Sequence, residues 1–290
     1  MKKIIKFITF IFIIIALTTV YARYVGTYGF ITKEYAVTDE YLPSGFDGLK
    51  IVHLSDIHYN RAITISKIKD IVKEINLIRP DIVVFTGDLV DKDVSLSDKD
   101  FNDLTNALLK IDAKYGKYAI LGNHDVEYNS EKVIDVFNGS NFKYLDNESD
   151  IIFNKKNEKI FIGGLNSVSK NKDNISKMME GSKDEDYKII LVHEPDISDK
   201  IVKDYKVNLI LAGHSHNGQI RLPFIGALYT PPYAKEYYDN YYKINNTNLY
   251  ISSGIGVSNI NYRLFNKPSI NFYRINKLSQ WTEPQKLDSL

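Results

Sequence analysis

The stretch LKIVHLSDIH, residues 49–58, decides how this chain folds. It begins as a short apolar run, which predicts a buried strand, and ends in a polar cluster that contains Asp56 and His58. A segment with helical apolar spacing follows at residues 66–78, and a second apolar run, PDIVVFTGD, occupies residues 80–88. This alternation continues to residue 125 and predicts an α/β fold built on a parallel sheet with right-handed crossovers.

The second half of the chain predicts another sheet. Residues 142–167 have the pattern of strand, turn and strand, and the apolar runs at residues 187–196 and 207–216 each contain histidine near their ends. We expect this sheet to be partly antiparallel, with closing strands from the tyrosine-rich last quarter. Because ligands bind beyond the carboxyl ends of the strands in open α/β sheets, the polar clusters are expected to converge.

Composition narrows the possible functions. The chain has 290 residues and a net charge of +1, which fits one globular domain with a short extension and offers no basic surface for a nucleic-acid backbone. We therefore expect no nucleic-acid partner. The chain has no cysteine, so disulfides and thiolate metal sites are excluded and His, Asp, Glu and Asn remain as the strong metal ligands.

The N-terminal segment, residues 1–27, is expected to be a membrane anchor or a signal segment. Lys2, Lys3 and Lys6 precede an uncharged apolar run that is long enough for a transmembrane helix. The lysines predict a cytoplasmic N terminus, and hence a single-pass protein of the cell membrane with an extracytoplasmic catalytic domain. Signal cleavage and secretion are the alternative. Residues 28–48 are interpreted as a linker and residues 49–290 as the catalytic domain.

Five of the six histidines lie in the clusters that end the predicted strands, whereas His53 is expected to be packed within the first strand. The pairs Asp56 with His58 and His214 with His216 are each separated by one residue, so on extended backbone both side chains of a pair point the same way. One pair alone is better explained by hydrogen bonding at a strand end. The joint burial of so many ionisable groups without a cation would be costly, so together they indicate a metal site.

In chain order, the clusters are SDIH, GDLVD, GNHD, VHEPD and GHSH, between residues 55 and 216. This order resembles the calcineurin-like metallophosphoesterases, and the similarity covers residue 49 to about residue 275. The flanking sequence is most similar to the membrane-associated bacterial branch of that family, which contains phosphodiesterases. The resemblance implies a four-layer α/β/β/α sandwich of two mixed sheets flanked by helices, with an N-terminal transmembrane helix.

The resemblance also implies two divalent metal ions and a ligand set for each. The first set is Asp56, His58 and His216, the second set is Asn123, His193 and His214, and Asp88 bridges both ions. Mixed nitrogen and oxygen ligands without sulfur suit Mn²⁺, Fe, Co²⁺ or Zn²⁺.

The remaining residues of the motifs are expected to support or contact the substrate. By resemblance, His124 faces the leaving oxygen of the substrate and Asp91 orients His124. Asp125 either supports the metal ligands or caps the following helix. Gln219 and Arg221 follow the last ligand and either contact the substrate phosphate or belong to a solvated strand.

The predicted function is a dinuclear metal-dependent phosphoesterase, a phosphodiesterase or phosphatase, at the membrane or cell wall. A hydroxide that bridges the two ions would hydrolyse a phosphate ester or pyrophosphate of a small-molecule, lipid-linked or cell-wall substrate. Lys92 stands where the protein phosphatases of this family carry an arginine, which disfavours a protein phosphatase. A soluble-type nucleotide or nucleic-acid phosphodiesterase is the alternative, and a non-catalytic binding scaffold a more distant one. The sequence leaves the oligomeric state open.

Overall fold

The computed structural model describes residues 1–278, so the end of the predicted catalytic domain, residues 279–290, lies outside the described residues. The α-helices are α1 (Lys2–Val20), α2 (Ile65–Ile78), α3 (Asp98–Leu108), α4 (Asn123–Gly139), α5 (Ile175–Met178) and α6 (Ser198–Asp204). The strands are β1 (Ile31–Asp39), β2 (Leu49–Leu54), β3 (Ile82–Thr86), β4 (Gly116–Ile120), β5 (Lys143–Tyr144), β6 (Glu148–Phe153), β7 (Lys159–Gly164), β8 (Tyr187–Leu191), β9 (Leu209–Ala212), β10 (Arg221–Leu222), β11 (Gly226–Ala227), β12 (Tyr241–Ile244), β13 (Thr247–Ile251) and β14 (Ser269–Lys277).

The strands form two mixed six-stranded sheets and one short hairpin, β10 with β11. The first sheet has the order β1-β14-β2-β3-β4-β5, and its neighbouring strands are parallel except for β14 and β2. The second sheet has the order β12-β13-β9-β8-β7-β6 and is parallel in its centre and antiparallel at both edges. The predicted alternation of strand and helix runs through the first sheet from β2 to β5.

Apolar side chains hold the two sheets together and cover their outer faces. Val84 of β3 and Ile189 of β8 are among the fully buried residues between the sheets. The outer faces carry separate buried clusters, one packed with α2, α3 and α4 and the other with α5 and α6. The layers are therefore α/β/β/α, which confirms the predicted fold class.

Local sequence explains how the covering helices form. In α2, Ile68, Ile71 and Ile75 are spaced by three and four residues and give one buried face. At the start of α3, the Ser97 hydroxyl accepts the Asp100 backbone N–H, and the Asp100 carboxylate accepts the Ser97 backbone N–H at 2.8 Å. Because the helices cover the faces of the sheets, the strand ends remain open for a ligand.

The structure differs from the linker interpretation of residues 28–48. Ile31–Asp39 form β1, which pairs in parallel with β14 along its whole length. Tyr35 of β1 stacks on Tyr273 of β14 with ring centroids 5.4 Å apart. The partner strand comes from the other end of the described chain, so no local pattern indicated the pairing.

Helix α1 projects from the domain. Together with the π-helical segment that follows it, Tyr21–Val25, it is long and apolar enough to cross a membrane. Within residues 1–278, none of the side chains of α1 is buried. Just after α1, the Ala22 carbonyl accepts the backbone N–H of Arg263 at 2.9 Å. The helix therefore leaves the domain from a fixed point.

Shortening Ile189 to alanine should destabilise the fold strongly. The side chain is fully buried between the sheets, and such a change lowers the free energy of unfolding by about 2–5 kcal/mol. Leu77→Ala is the matched control, because Leu77 of α2 is 70% exposed. Urea denaturation in detergent solution, followed by circular dichroism, measures both variants. Equal stability of the two would contradict a core between the sheets.

Candidate metal centre

The polar clusters meet where the strands of both sheets end. Asp56, Asp88 and Asn123 follow β2, β3 and β4 of the first sheet. His193 and His214 follow β8 and β9 of the second sheet. Asn123 Oδ1 lies 3.2 Å from His193 Nε2, so the two sheets place their clusters in contact. The predicted convergence of the clusters is confirmed.

The backbone is left-handed at several of the predicted ligands. The φ angles are 51° at Asp56, 46° at His58, 60° at Asp88, 67° at His214 and 49° at His216. The expectation that the two closely spaced pairs lie on extended backbone is therefore wrong. Left-handed backbone is costly for residues other than glycine, and its concentration at one place is typical of functional sites.

Three groups of buried side chains could each hold a cation, because the ligand atoms of each group lie within 4.8 Å of one another. The groups are Asp56 with His58 and His216, Asp56 with Asp88 and His193, and His58 with Asp91 and His124. Asp88 Oδ2 is 3.6 Å from His58 Nε2 and 3.3 Å from His193 Nε2. Asp88 therefore lies between histidines that the resemblance assigns to different ions.

The donor atoms of this cluster fit a cation. The Nε2 atoms of His58 and His216 lie 3.2 Å apart, and two imidazole lone pairs repel each other at this distance unless a proton or a cation is beside them. His193 donates its Nδ1 proton to the Thr86 carbonyl at 2.6 Å. Its Nε2 lone pair is thereby left for a metal ion near Asp88.

His214 is held differently from the other histidines. Its Nε2 donates to the Pro232 carbonyl at 2.8 Å, so Nδ1 carries the lone pair that a ligand needs. Its ring packs edge-on against His193, with ring centroids 5.0 Å apart. His214 thus lies beside the three groups, with Nδ1 as its available ligand atom.

Burial and neighbouring charges shift the pKa values of the cluster. Burial opposes ionisation of Asp88, but His193 and His124 outweigh it and hold the pKa of Asp88 well below its usual range. Burial likewise lowers the pKa of His193, but Asp88 more than compensates and the pKa is raised well above its usual range. Burial raises the pKa of Asp56. These carboxylates depend on positive charge beside them, which a divalent ion supplies more strongly than an imidazolium.

Asp125 makes both kinds of contact that the sequence left open. Its Oδ2 accepts the backbone N–H of Gly122 at 3.0 Å, which caps α4, and the backbone N–H of Asp88 at 2.7 Å. Its Oδ1 accepts the backbone N–H of Val90 at 3.1 Å. Burial, and then the charge of Asp88, raise the pKa of Asp125 to about 7. The side chain therefore fixes the turn that carries Asp88.

Asp91 is closer to His58 than to the residue that it was predicted to orient. Its Oδ2 is 3.3 Å from His58 Nδ1 and 3.8 Å from His124 Nδ1, and the shorter contact is not aligned as a hydrogen bond. Arg61 Nη1 lies 3.1 Å from both oxygens of Asp91. Burial opposes ionisation of Asp91, but His58 outweighs it and the pKa of Asp91 is lowered. Orientation of His124 by Asp91 stays a prediction.

His53 lies outside the cluster, as predicted. Its ring is fully buried, and its two nitrogens lie 2.7 Å from the Thr86 hydroxyl and 3.2 Å from the Tyr273 hydroxyl. Burial lowers the pKa of His53 to about 3, so the ring is neutral. The packed-strand interpretation is therefore confirmed.

The cluster forms the floor of a cavity of about 770 Å³. The predicted site residues that line it are Asp88, Asn123, His124, His214, His216 and Gln219. Lys92 and Lys170 add basic groups to the lining, and Leu228, Tyr229 and Ile260 add apolar ones. The cleft thus combines a polar floor with a partly apolar wall, which suits a phosphate ester with an apolar portion.

The structure gives Gln219 and Arg221 partners within the protein. The Gln219 amide nitrogen donates to the carbonyls of Ile260 and Tyr262 at 2.7 and 2.8 Å. Arg221 pairs with Asp239 at 2.6 Å and lies on a second, smaller cavity. These contacts hold both side chains in place, and Gln219 also lines the main cavity. A phosphate contact and a solvated strand therefore both stay predictions.

Arg263 is a site neighbour that sequence reasoning missed. Its side chain is fully buried, lies 3.2 Å from His216 Nδ1 and donates to the carbonyls of Ser253 and Gly256 at 2.7 and 2.6 Å. Burial lowers its pKa to about 9, so it remains protonated at neutral pH. It lies 47 residues from His216 in sequence, which leaves no local signal. Arg61 was also missed, although its place three residues after the SDIH motif was a usable signal.

Fold and site together define a metallohydrolase in which two packed sheets present buried carboxylates and imidazoles at one edge. The pattern of the calcineurin-like phosphoesterase family matches residues 49–218. The chain belongs to this family, as the resemblance of its motifs predicted, and is a metal-dependent phosphoester hydrolase.

Similar proteins support this assignment. The chain is 34% identical to the metallophosphoesterase YkuE of Bacillus subtilis over 256 residues, and this match covers 88% of each chain. It is 28% identical over 212 residues to the phosphodiesterase YaeI of Escherichia coli, which covers 71% of this chain and 75% of YaeI. A transmembrane protein with metallophosphoesterase domain from Danio rerio is 26% identical over 244 residues, which covers 80% of this chain and 54% of that protein.

Replacing Asp125 with asparagine should weaken metal binding and leave the fold intact. The Asp125 carboxylate accepts hydrogen bonds from three backbone N–H groups. An asparagine side chain would place an NH₂ donor opposite at least one of these N–H donors, and that hydrogen bond would be lost. Loss of a partner behind metal ligands costs about 10–100-fold in metal affinity. Calorimetric titration of the metal-stripped protein with Mn²⁺ or Zn²⁺ measures the change, with Asp98→Asn at an exposed site of α3 as the control. Unchanged affinity would mean that Asp125 acts only as a helix cap.

Proposed function

We propose that this phosphoester hydrolase is a membrane-anchored phosphodiesterase that works with two divalent ions. The observation that carries the proposal is the position of Asp88, whose Oδ2 lies 3.6 Å from His58 Nε2 and 3.3 Å from His193 Nε2. A carboxylate between two sets of nitrogen and oxygen ligands is the arrangement that holds a pair of ions. Asp88 would therefore bridge them.

The other ligands divide between the two positions. Asp56, His58 and His216 would hold one ion, and Asn123, His193 and His214 the other. The absence of sulfur ligands favours Mn²⁺, Fe, Co²⁺ or Zn²⁺. When bound, such a pair supplies positive charge to the phosphate oxygens and lowers the pKa of water, the nucleophile of hydrolysis.

His124 is suited to act on the leaving oxygen of the substrate. Its Nδ1 accepts the backbone N–H of Lys92 at 3.4 Å, so the proton of the neutral ring resides on Nε2. Burial lowers the pKa of His124, which keeps the ring neutral at neutral pH. The Nε2–H group would then donate to the leaving oxygen as negative charge develops there.

Lys92 and Lys170 would attract the anionic substrate to the cleft. Lys92 Nζ lies 3.0 Å from the Glu127 carboxylate, and Lys170 pairs with the same carboxylate. Two cations that share one carboxylate leave a net positive charge at the wall of the cleft. This charge favours the approach of phosphate.

Two observations support a phosphodiester as the substrate. The relative YaeI is named as a phosphodiesterase. The cavity of about 770 Å³ has an apolar wall, which leaves room for a second ester group beside the phosphate.

The N-terminal helix supports a location at the membrane. Its apolar run follows Lys2, Lys3 and Lys6, and one relative is named as a transmembrane protein. The lysines favour a cytoplasmic N terminus and a catalytic domain on the opposite side of the cell membrane. Secretion after signal cleavage is the alternative, which the mass of the mature protein would reveal.

The full chain, purified in detergent and stripped of metal, tests the proposal. Hydrolysis of bis(p-nitrophenyl) phosphate should return with added Mn²⁺ or Zn²⁺ and should exceed hydrolysis of p-nitrophenyl phosphate. Asp88→Asn should abolish the activity because it removes the bridging carboxylate, whereas Asp98→Asn should leave it unchanged. Folded wild-type protein that hydrolyses only the monoester, or an active Asp88→Asn variant, would contradict the proposal.

Exchange of His124 for alanine should lower kcat by about 10²–10³-fold for a diester with an alkyl leaving group, because the leaving oxygen loses a hydrogen bond. The loss should be smaller for a nitrophenyl leaving group, because nitrophenolate spreads its negative charge and depends less on that hydrogen bond. Metal content, measured on the same samples, should be unchanged. Equal losses for both esters would show that His124 does not act on the leaving oxygen.

A further inference from the structure

The hairpin of β10 and β11 extends apolar side chains into solvent. Phe224 at its tip is fully exposed, and Ile225 beside it is 71% exposed. Phe224 has a φ of 68°, which is costly for a bulky residue. Large neighbouring apolar side chains that remain exposed mark a contact surface. Neither residue lines the catalytic cavity, so the proposed hydrolysis does not account for their exposure.

Backbone hydrogen bonds connect this hairpin to the end of the apolar helix. The Arg221 N–H donates to the Leu264 carbonyl at 3.0 Å, and the adjacent Arg263 donates its N–H to the Ala22 carbonyl at 2.9 Å. Ala22 lies two residues beyond the end of α1. The hairpin therefore has a fixed position relative to the proposed membrane anchor.

Aromatic side chains continue the surface between the helix and the hairpin. Tyr21 and Tyr24 follow α1 and are exposed, as is Phe265 in the connecting loop. Tyr21 and Phe265 line the smaller cavity together with Arg221 at the base of the hairpin. Tyrosines at the end of a membrane span are typical of the membrane–water interface. The hairpin base therefore lies beside residues suited to that interface.

Basic residues at the same place complement anionic lipid headgroups. Lys33 and Lys267 line the smaller cavity. Lys33 Nζ donates to the neutral side chain of Asn240 at 2.9 Å, so this contact leaves its charge uncancelled. Lysine side chains at the end of a span can pair with the phosphate groups of the lipids in the adjoining leaflet.

The other side of the hairpin leads into the catalytic cleft. Leu228 and Tyr229 come directly after β11, line the cavity and are exposed. Ile260, from the loop that also contacts Ala22, lines the cavity and is exposed as well. A bilayer in contact with the hairpin would therefore adjoin the apolar wall of the cleft.

We propose that Phe224 and Ile225 insert into the leaflet next to the catalytic domain and form a second membrane contact beside α1. The inference rests on the proposed function and names its substrate class, a phosphodiester carried on a membrane lipid. The headgroup phosphate reaches the polar floor of the cleft, while the apolar part of the lipid lies along Leu228, Tyr229 and Ile260. A bilayer accounts for this surface because the apolar tip, the tyrosines and the lysines adjoin the proposed span.

A single cysteine can report on the position of the hairpin, because the chain has none of its own. Full-length Phe224→Cys, labelled with an environment-sensitive fluorophore, is reconstituted in vesicles of phosphatidylcholine and phosphatidylglycerol. Its emission should shift to the blue and be quenched by brominated lipids. Leu77→Cys, at an exposed position of α2, is the matched control and should remain unquenched. A blue shift without quenching at residue 224 would indicate a second copy or another protein and would overturn the inference.

Two diesters with the same leaving group test the substrate class. Bis(p-nitrophenyl) phosphate is dissolved in water, whereas hexadecyl p-nitrophenyl phosphate resides in the vesicles. The double variant F224S/I225S should lose about tenfold or more in hydrolysis of the membrane-borne ester, because it loses apolar area from the bilayer. Its hydrolysis of the dissolved ester should be unchanged. The control L77S/F153S, at exposed sites of α2 and β6, should change neither rate.

The two experiments distinguish failure of the proposed function from failure of the membrane contact. Hydrolysis of neither ester with any added metal would overturn the proposed function and, with it, the substrate class. Hydrolysis of the dissolved ester, with an unquenched label at residue 224 and no loss for F224S/I225S on the membrane-borne ester, would overturn the membrane contact alone.

Discussion

A carboxylate that leaves water needs positive charge or hydrogen-bond donors close by, and this requirement governs the edge where the two sheets meet. Asp88 is 2% exposed. It lies 3.3 Å from His193 of the second sheet and accepts the backbone N–H of His124 at 2.8 Å. Asp125 in turn fixes the backbone of Asp88. The packing of the two sheets and the start of α4 therefore both stabilise the buried charge of Asp88. A change that separates the sheets would disrupt the site as well as the fold.

The parts of the fold that repeat locally could be predicted from the sequence. Each short apolar run predicts a buried strand by itself, and each polar cluster follows its strand directly. The central strands of both sheets, and the edge at which they end, could therefore be predicted from the sequence, whereas strand β1 could not. Its partner, β14, lies at the opposite end of the described chain. Most residues of β1 are exposed or only partly buried, so β1 lacks the strongly apolar sequence of a central strand. Pairing between distant segments leaves no mark in either segment alone.

The site was predictable to the same extent. Asp56, His58 and His216 were recognised by motif and meet in one group, but their left-handed backbone was not foreseen because no glycine marks it. Arg263 was missed for another reason. It reaches His216 from a loop that carries no motif, and its burial is visible only once that loop is folded over the strand ends. Sequence thus identifies residues that belong to a repeated chemical pattern, and structure adds those that only support it.

The pairing of β1 with β14 also constrains the order in which the chain can fold. β1 is the first strand after α1 and occupies an edge of the first sheet, where its single neighbour is β14. During synthesis β1 leaves the ribosome long before β14 has been made, so the backbone N–H and C=O groups of β1 have no strand to pair with. The edge of β2 that later pairs with β14 is also unpaired during this time. The first sheet is complete only when β14 has been synthesised. A chain that stops short of β14 would expose two unpaired strand edges, the kind of surface that cellular proteases and chaperones survey.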